Sequence, residues 1–150
     1  VKMNIRIAEL EDINEIYSIE KKVFNDYWSL DLIKSEIIEK KYSMVTVLEL
    51  KKKIIGYIFQ RKIYDENHII NLAIDTPYQH RGYGKFLLMK ILEKDDNDTN
   101  VFLEVKEANL PAVKLYIDLG FEEVDRKEGY YSDGSNAIFM LKKNKKYGLV

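Results

Sequence analysis

The chain has 150 residues and a formal net charge of −1, with 46% hydrophobic and 33% charged residues. This length predicts one domain over residues 1–150, and the composition is typical of a folded globular protein, not a disordered one. Nucleic acid is not expected as a partner, because proteins that bind its phosphates usually carry a basic surface. Cysteine is absent, which excludes disulfides, thiolate catalysis and cysteine-bound metal.

Membrane insertion and metal binding are not expected either. No apolar run approaches the roughly 20 residues of a membrane-spanning helix. Residues 1–7 alternate polar and apolar side chains instead of forming a signal-peptide core. His68 and His80 lack the spacing of metal ligands. We therefore expect a soluble, cytoplasmic protein without a metal and without a membrane partner.

The N-terminal half predicts a strand, two helices and a hairpin. Residues 2–7 alternate as in a strand, and residues 10–24 place apolar side chains at helical spacing. Ser29 is a plausible N-cap for a second helix. Two β-rich runs, 44–50 and 54–64, then flank a short lysine break, which predicts an antiparallel hairpin.

The central part of the chain predicts two strands and a helix. The apolar run 69–74 indicates a strand, and a helix is expected to open near Gly82. The polar stretch 95–100 is expected to be a loop without a function, and the run 101–105 is expected to be a short buried strand.

The C-terminal part predicts a helix and two strands. Pro111 favours a helix start and Gly120 a helix end. Strands are predicted at 121–126 and 137–141, and residues 142–146 are expected to be a solvated terminus. The order β-α-α-β-β-β-α-β-α-β-β indicates an α/β (α+β) protein with a mixed sheet flanked by helices.

A glycine-rich turn follows the predicted strand 69–74 and opens the next helix. The first N–H groups of a helix lack internal partners and lie at the positive end of its dipole. Gly82 and Gly84 allow a ligand to approach the backbone, and Arg81 and Lys85 add positive charge. The turn therefore predicts an anion site, although a tight turn without a ligand has the same pattern. Its spacing matches neither the Walker nor the dinucleotide motif.

The motif Gln79-x-x-Gly82-x-Gly84, between an apolar strand and an apolar helix, resembles the acyl-CoA pyrophosphate motif of the GNAT acetyltransferases. The resemblance implies a mixed, partly parallel sheet of about six to seven strands with about four helices, splayed where the ligand lies between two parallel strands. It also implies that acetyl-CoA is the co-substrate. The cofactor-binding residues that it implies are Leu72, Ala73, Ile74, Gln79, Arg81, Gly82, Tyr83, Gly84, Lys85 and Asn109.

A second motif, from Leu103 to Phe121, resembles the strand, Asn-x-x-Ala helix and Leu-Tyr-x-x-x-Gly-Phe ending of the same superfamily. Glu104 would then be the general base and Tyr116 the general acid, in direct transfer within a ternary complex. Both residue types suit the chemistry, because a carboxylate can accept a proton from an amine and a phenol can donate one to a departing thiolate. Glu104 as a solvated strand residue and Tyr116 as a packing residue remain alternatives, and Asn109 is also a possible N-cap.

Within the superfamily, three segments look most like ribosomal-protein-alanine N-acetyltransferases, namely Asn71-Leu72-Ala73-Ile74, Leu103-Glu104-Val105 and Gly129-Tyr130-Tyr131. This resemblance implies a protein N-terminus as acceptor, with a ribosomal protein as one candidate. It also implies acceptor contacts from Trp28, Tyr130 and Tyr131.

The sequence departs from that pattern in the predicted acceptor loops. Tyr27 stands where proline is usual, and Ser135-Asn136 lie in a shorter loop where an acidic residue is common. A small-amine acetyltransferase and a noncatalytic acyl-CoA-binding module therefore remain alternative functions.

Overall fold

A computed structural model describes residues 2–143, in which seven strands and four helices follow the predicted order. The strands are β1 (Met3–Ile7), β2 (Ser43–Leu50), β3 (Lys53–Ile63), β4 (Glu66–Ile74), β5 (Asn100–Lys106), β6 (Glu122–Lys127) and β7 (Ala137–Lys142). The helices are α1 (Ile13–Val23), α2 (Leu30–Ile38), α3 (Tyr83–Leu92) and α4 (Leu110–Asp118). The predicted α/β class with a mixed sheet is confirmed.

The strands form one sheet in the order β1-β2-β3-β4-β5-β7-β6. β4 and β5 are parallel, and the other neighbouring pairs are antiparallel. A parallel pair needs a crossover connection, and α3 supplies it between β4 and β5. The sheet is thus partly parallel, as expected.

The two parallel strands separate part-way along their length. Residues 66–69 of β4 pair with residues 100–103 of β5. β4 then continues beside β3 as far as Ile74, while β5 continues beside β7 as far as Lys106. A bulge at Ile70 lies at the point of separation, since Phe59 pairs with Asn71 and Gln60 with Ile69. Because a bulge bends its strand, β4 turns away from β5 and a gap opens between them.

Gly56 on β3 allows the end of β4 to lie close to its neighbour. A Cβ atom at this position would be 2.5 Å from Ile74 Cδ1 and 2.9 Å from the Ala73 carbonyl oxygen. Any larger residue would therefore displace the β4 edge that borders the gap. The signal in the sequence is an isolated glycine within a strand pattern, which often marks a close backbone approach.

Helices cover both faces of the sheet. On one face, Ile58 of β3 packs in a cluster with Leu87 and Leu88 of α3. On the other, Tyr57 of β3 packs in a cluster with Ile16 of α1. Consecutive strand residues point to opposite faces, and each fully buried large apolar side chain contributes about 1.5–3 kcal/mol to folding. None of the helices within residues 2–143 is long and apolar enough to cross a membrane.

Two element starts differ from the predicted ones by more than one residue. β4 begins at Glu66, before the predicted start at residue 69, because Asn67 is buried in the sheet and bonds to Gln60 and Asp95. The helix predicted from residue 10 begins as a 3₁₀ turn (Leu10–Asp12), and α1 itself starts at the next residue.

Two predicted helix caps are present, and two residues predicted to lie outside strands belong to strands. The Ser29 and Gly120 caps are confirmed, since Ser29 Oγ accepts a bond from the Leu32 amide and Gly120 has a φ of 97°. Asn100 belongs to β5 and not to a loop. Lys142 belongs to β7, where its Nζ donates to the Leu119 carbonyl at 2.7 Å, so it is not part of a solvated tail. Residues 144–146 of that predicted tail lie outside the described residues.

Candidate functional site

The gap between β4 and β5 opens into a cavity of about 880 Å³. Most of the predicted site residues line it, namely Trp28, Leu72, Ala73, Ile74, Gln79, Gly82, Tyr83, Gly84, Lys85, Glu104, Asn109, Tyr116 and Tyr131. Arg81 and Tyr130 are exposed and are not among the described residues that line the cavity. The fold therefore brings together residues from two motifs that are separated in the sequence.

One end of the cavity is formed by residues 79–85, here called the glycine loop. Gly82 adopts a left-handed conformation with a φ of 86° and is the N-cap of α3. The Phe86 amide donates to the Gly82 carbonyl at 3.0 Å, which is the first bond of the helix. The amides before Phe86 belong to the turn whose N–H groups have no partner inside the helix. They can bind an anion at the positive end of the helix dipole.

The glycine loop is fastened to β4 and α1 by side chains. Gln79 Nε2 donates to the Ile74 carbonyl at 2.9 Å, so its predicted cofactor role is accompanied by an anchoring role. Buried Asp75 accepts a bond from the Thr76 amide at 2.8 Å and forms an ion pair with Lys22 of α1 at 2.6 Å. These bonds hold the loop in place at the end of the strand.

The free edge of β4 runs along the cavity. Leu72, Ala73 and Ile74 pair with β3 on one side, but the pairing with β5 stops at Ile69. Backbone N–H and C=O groups on the open edge are suited to pair with an extended ligand, as an added strand would. The β4 edge and the glycine loop together can hold an elongated molecule with an anionic group at one end.

Glu104 lies on β5 at the first position beyond the β4–β5 pairing. The neighbouring Leu103 and Val105 are buried in the core, so strand alternation directs Glu104 away from it. The carboxylate is exposed, and its hydrogen bond raises the pKa of the Tyr130 hydroxyl. Burial raises the pKa of Tyr131, and the negative charge of Glu104 raises it further. Glu104 is therefore solvated, as one alternative expected, and it also lines the cavity.

Tyr116 is 8% exposed and packs edge-on against Phe121, with ring centroids 5.8 Å apart. Burial raises the pKa of its hydroxyl to about 12, so the group keeps its proton at neutral pH. Tyr116 thus packs beneath the sheet and lines the cavity at the same time. Asn109 Oδ1 accepts a bond from the Ala112 amide at 3.3 Å, which confirms its N-cap position while the residue also borders the cavity.

The other end of the cavity is formed by two loops and β5, here called the two-loop end. It comprises Trp28 in the loop between α1 and α2, Tyr131 in the loop between β6 and β7, and Glu104 and Lys106 of β5. Trp28 packs edge-on against Phe59 with ring centroids 5.0 Å apart.

Lys106 links the two loops. Its Nζ atom lies 3.1 Å from Asp133 Oδ2 in the β6–β7 loop and 3.5 Å from Asp26 Oδ2 in the α1–α2 loop. The same ammonium lies 5.3 Å from the centroid of the Tyr131 ring. The hydrogen bond to Asp133 and the two carboxylate charges raise the pKa of Lys106, which keeps this bridge charged.

Sequence reasoning did not identify Glu20 and Lys106 as site residues. Glu20 is buried on α1 and contacts Asn71, which lies 51 positions away. Lys106 is next to a recognised motif, but its partner Asp133 lies 27 positions away. No local pattern marks either contact. Within residues 2–143, no group of three or more acidic and histidine side chains is arranged to hold a metal ion.

Comparisons with known proteins place this arrangement in a known context. Residues 10–144 match the family described as the acetyltransferase (GNAT) domain. The ribosomal protein bS18-alanine N-acetyltransferase of Haemophilus influenzae is 34% identical over 89% of this chain and 95% of its own length. An N-alpha-acetyltransferase of Sulfurisphaera tokodaii is 29% identical over 91% of this chain and 90% of its own length.

A solved structure has the same fold. The crystal structure of the ribosomal-protein-S18-alanine N-acetyltransferase from Escherichia coli superposes with a TM-score of 0.88 at 27% identity. The match covers 95% of this chain and 94% of that one.

Proposed function

Because the chain belongs to the GNAT acetyltransferase family and is an N-acetyltransferase, we propose that it transfers acetyl from acetyl-CoA to a protein N-terminal α-amine. The observation that carries the proposal is that one cavity joins the glycine loop to Glu104, Tyr116 and the two-loop end. A donor and an acceptor can therefore meet at Glu104 from opposite ends. A ribosomal protein is the candidate acceptor, because relatives of similar length are named for that substrate.

The donor end fits acetyl-CoA. The amides at the start of α3 and the exposed Lys85 suit its pyrophosphate, and the open β4 edge at residues 72–74 suits its amide-containing arm. Gly84 lines the cavity without a side chain, which leaves its backbone open to the ligand. Asn109 lines the cavity at the start of α4 and is assigned to the cofactor. Arg81 is an exposed residue of the glycine loop, where its charge would attract the phosphates.

The reaction needs a base, a polarised carbonyl and an acid. Acetyl-CoA supplies an activated acetyl thioester. Glu104 accepts the proton of the acceptor ammonium, directly or through water, so that the amine can form the new C–N bond. Tyr116 keeps its hydroxyl proton at neutral pH, and it donates that proton to the sulfur as the C–S bond breaks. The lack of cysteine is consistent with direct transfer, without an acyl-cysteine.

The acceptor enters through the two-loop end. Trp28 and Tyr131 line the cavity there, and Tyr130 is close enough to Glu104 for that carboxylate to raise the pKa of its hydroxyl. An α-amine has a pKa of about 7.7–8.0, against about 10.4 for lysine, so a single carboxylate base suffices near neutral pH. The cytoplasmic location and the single-domain organisation stay predictions.

The test is mass spectrometry of an acceptor panel incubated with acetyl-CoA and the purified protein. The panel contains peptides with alanine, serine, methionine and acidic N-termini, together with a polyamine and an amino sugar. We expect acetylation of peptide α-amines with a preference among the N-terminal residues. If only the small amines are modified, the acceptor class is wrong. If acetyl-CoA binds and nothing is modified, the chain is a binding module.

A further inference from the structure

A buried carboxylate on α1 lies at the centre of a hydrogen-bond network beside the cavity. Glu20 is 1% exposed, and it lines the cavity together with Asn71 and Trp28. Its Oε1 atom accepts bonds from the Tyr57 hydroxyl at 2.6 Å and from Asn71 Nδ2 at 2.8 Å. Its Oε2 atom accepts a bond from the backbone amide of Trp28 at 3.0 Å. One side chain thus joins α1, β3, β4 and the α1–α2 loop.

A buried carboxylate is tolerated in a folded protein only if hydrogen bonds satisfy its oxygen atoms. Burying a carboxylate is costly unless hydrogen bonds compensate for the lost water. Here three donors compensate for the lost water. Burial raises the pKa of Tyr57, and the negative charge of Glu20 raises it further. Hydrogen bonds to charged groups are stronger than those between neutral groups. The bond to the Trp28 amide is therefore a strong constraint on a loop that is otherwise exposed from Asn25 to Tyr27.

We propose that Glu20 is a positioning residue that holds the α1–α2 loop, with Trp28, in the conformation that binds the acceptor. This inference rests on the proposed transfer to an N-terminal amine, because it assigns the acceptor to the two-loop end. Glu20 does not act as the base, since both of its oxygens already accept bonds from the protein. Glu104 is exposed to the cavity and remains in that role.

The geometry separates an effect on the acceptor from an effect on acetyl-CoA. The Trp28 amide is the only donor of the network that belongs to an acceptor loop among the described residues. Asn71 lies on β4, but its strand is also held by backbone pairing to Phe59 of β3. Loss of Glu20 should therefore release the loop while the β4 edge keeps its register.

The experiment uses Glu20→Met, which keeps the length of the side chain and removes both acceptor atoms. Trp28 is the only tryptophan of the chain, so fluorescence excited at wavelengths that tyrosine does not absorb reports on this loop. We expect a red-shifted emission and stronger quenching by acrylamide. The KM for the acceptor peptide should rise about tenfold or more, the effect of losing a hydrogen bond to a charged group. The KM for acetyl-CoA should change little.

Two further variants separate positioning from general loss of stability. Glu36→Met removes another buried carboxylate, which is bonded to Ser43 and Arg61 away from the cavity. It should leave Trp28 emission and both KM values as in the wild type. Glu20→Gln keeps one carbonyl acceptor and should recover part of the acceptor affinity.

The outcomes that overturn the inference are equally specific. Trp28 emission that is unchanged in Glu20→Met would mean that Glu20 does not hold the loop. A change in emission with an unchanged acceptor KM would mean that the bond is structural only. If the wild-type protein acetylates no peptide, the proposed function fails, and the fluorescence comparison still decides whether Glu20 fixes the loop.

Discussion

The glycine-loop end and the two-loop end of the cavity are held by different kinds of interaction. At the glycine-loop end, the groups that border the cavity are backbone amides and a strand edge. They are fixed by the start of α3 and by pairing with β3, with further anchoring from the Gln79 and Asp75 side chains. At the two-loop end, the loops are fixed by side chains, through Lys106 to Asp26 and Asp133 and through Glu20 to the Trp28 amide.

This difference has consequences for specificity. A site built from backbone groups depends on chain conformation, so the side chains around it that do not hold this conformation can change without loss of the ligand. A site held by a few charged side chains depends on each of them, and its exposed pairs weaken with salt. The two ends of the cavity should therefore respond to different perturbations.

The largest effect is expected at Glu104, where the two ends meet. Glu104→Gln removes the proposed base, and kcat should fall about 100-fold or more, the usual contribution of general base catalysis. Binding of acetyl-CoA should stay unchanged in a calorimetric titration, because the glycine loop is intact. Glu107→Gln is the matched control, since Glu107 bonds to Arg126 and Asn136 outside the cavity. Equal losses in both variants would contradict the assignment of Glu104.

Tyr116→Phe should lower kcat about 100-fold, the low end of the range for acid catalysis, with both KM values nearly unchanged. Because burial raises the pKa of Tyr116 to about 12, the wild type should show no alkaline loss of activity from this group below about pH 10. An inflection assigned to Tyr116 near neutral pH would contradict its environment.

The raised pKa of Tyr116 also predicts a pH dependence of stability. The unfolded chain loses the tyrosine proton near pH 10, whereas the folded protein keeps it up to about pH 12. Its contribution to the free energy of unfolding is complete below about pH 10 and declines as the pH rises to about 12. Urea unfolding at both limits should show this decline in the wild type, with a smaller decline in Tyr116→Phe.

Two glycines with nearly the same positive φ allow the ends to be compared directly. Gly82 has a φ of 86° in the glycine loop, and Gly134 has a φ of 85° in the β6–β7 loop. Neither has an atom within 4 Å of an added Cβ, so alanine introduces strain without a clash, at about 1–2 kcal/mol. Gly82→Ala should raise the KM for acetyl-CoA about tenfold, and Gly134→Ala should raise only the acceptor KM. The reverse pattern would refute the division into two ends.

The smallest effect is expected at the Lys106 bridge. Lys106→Gln should raise the acceptor KM about two- to fivefold at low salt, because exposed ion pairs contribute about 0.2–1 kcal/mol. Added NaCl should raise the wild-type acceptor KM and reduce the difference between the two proteins. Lys127→Gln is the control, since Lys127 lies over the Tyr130 ring but is not among the described residues that line the cavity.

Local pattern accounts for what the sequence predicted well. The seven strands and four helices in order follow from hydrophobic periodicity. The Ser29 and Asn109 caps and the helix start near Gly82 follow from short-range chemistry. The glycine loop is recognisable in the sequence because its pattern lies in consecutive residues. The gap between β4 and β5 was predicted only from the family resemblance, because the bulge at Ile70 has no sequence signature of its own.

Long-range contacts account for what was missed. The start of β4 contains polar residues, so the sequence pattern does not predict a strand there. Its Asn67 can nevertheless be buried, because it donates a hydrogen bond to Asp95, which lies 28 positions away. Glu20 looks like an ordinary charge on an amphipathic helix, and its bond to Tyr57 spans 37 positions. Periodicity cannot show that such a carboxylate faces the core, because only the assembled sheet supplies its donors.

The measurement that tests the central claim most directly compares two peptides that differ at one group. Both have the N-terminal sequence preferred in the panel and one internal lysine, and one of them is blocked at its N-terminus. With acetyl-CoA and the wild-type protein, tandem mass spectrometry should find one acetyl group on the α-amine of the free peptide and none on the blocked one. Equal acetylation of the lysine in both peptides would contradict the proposed function.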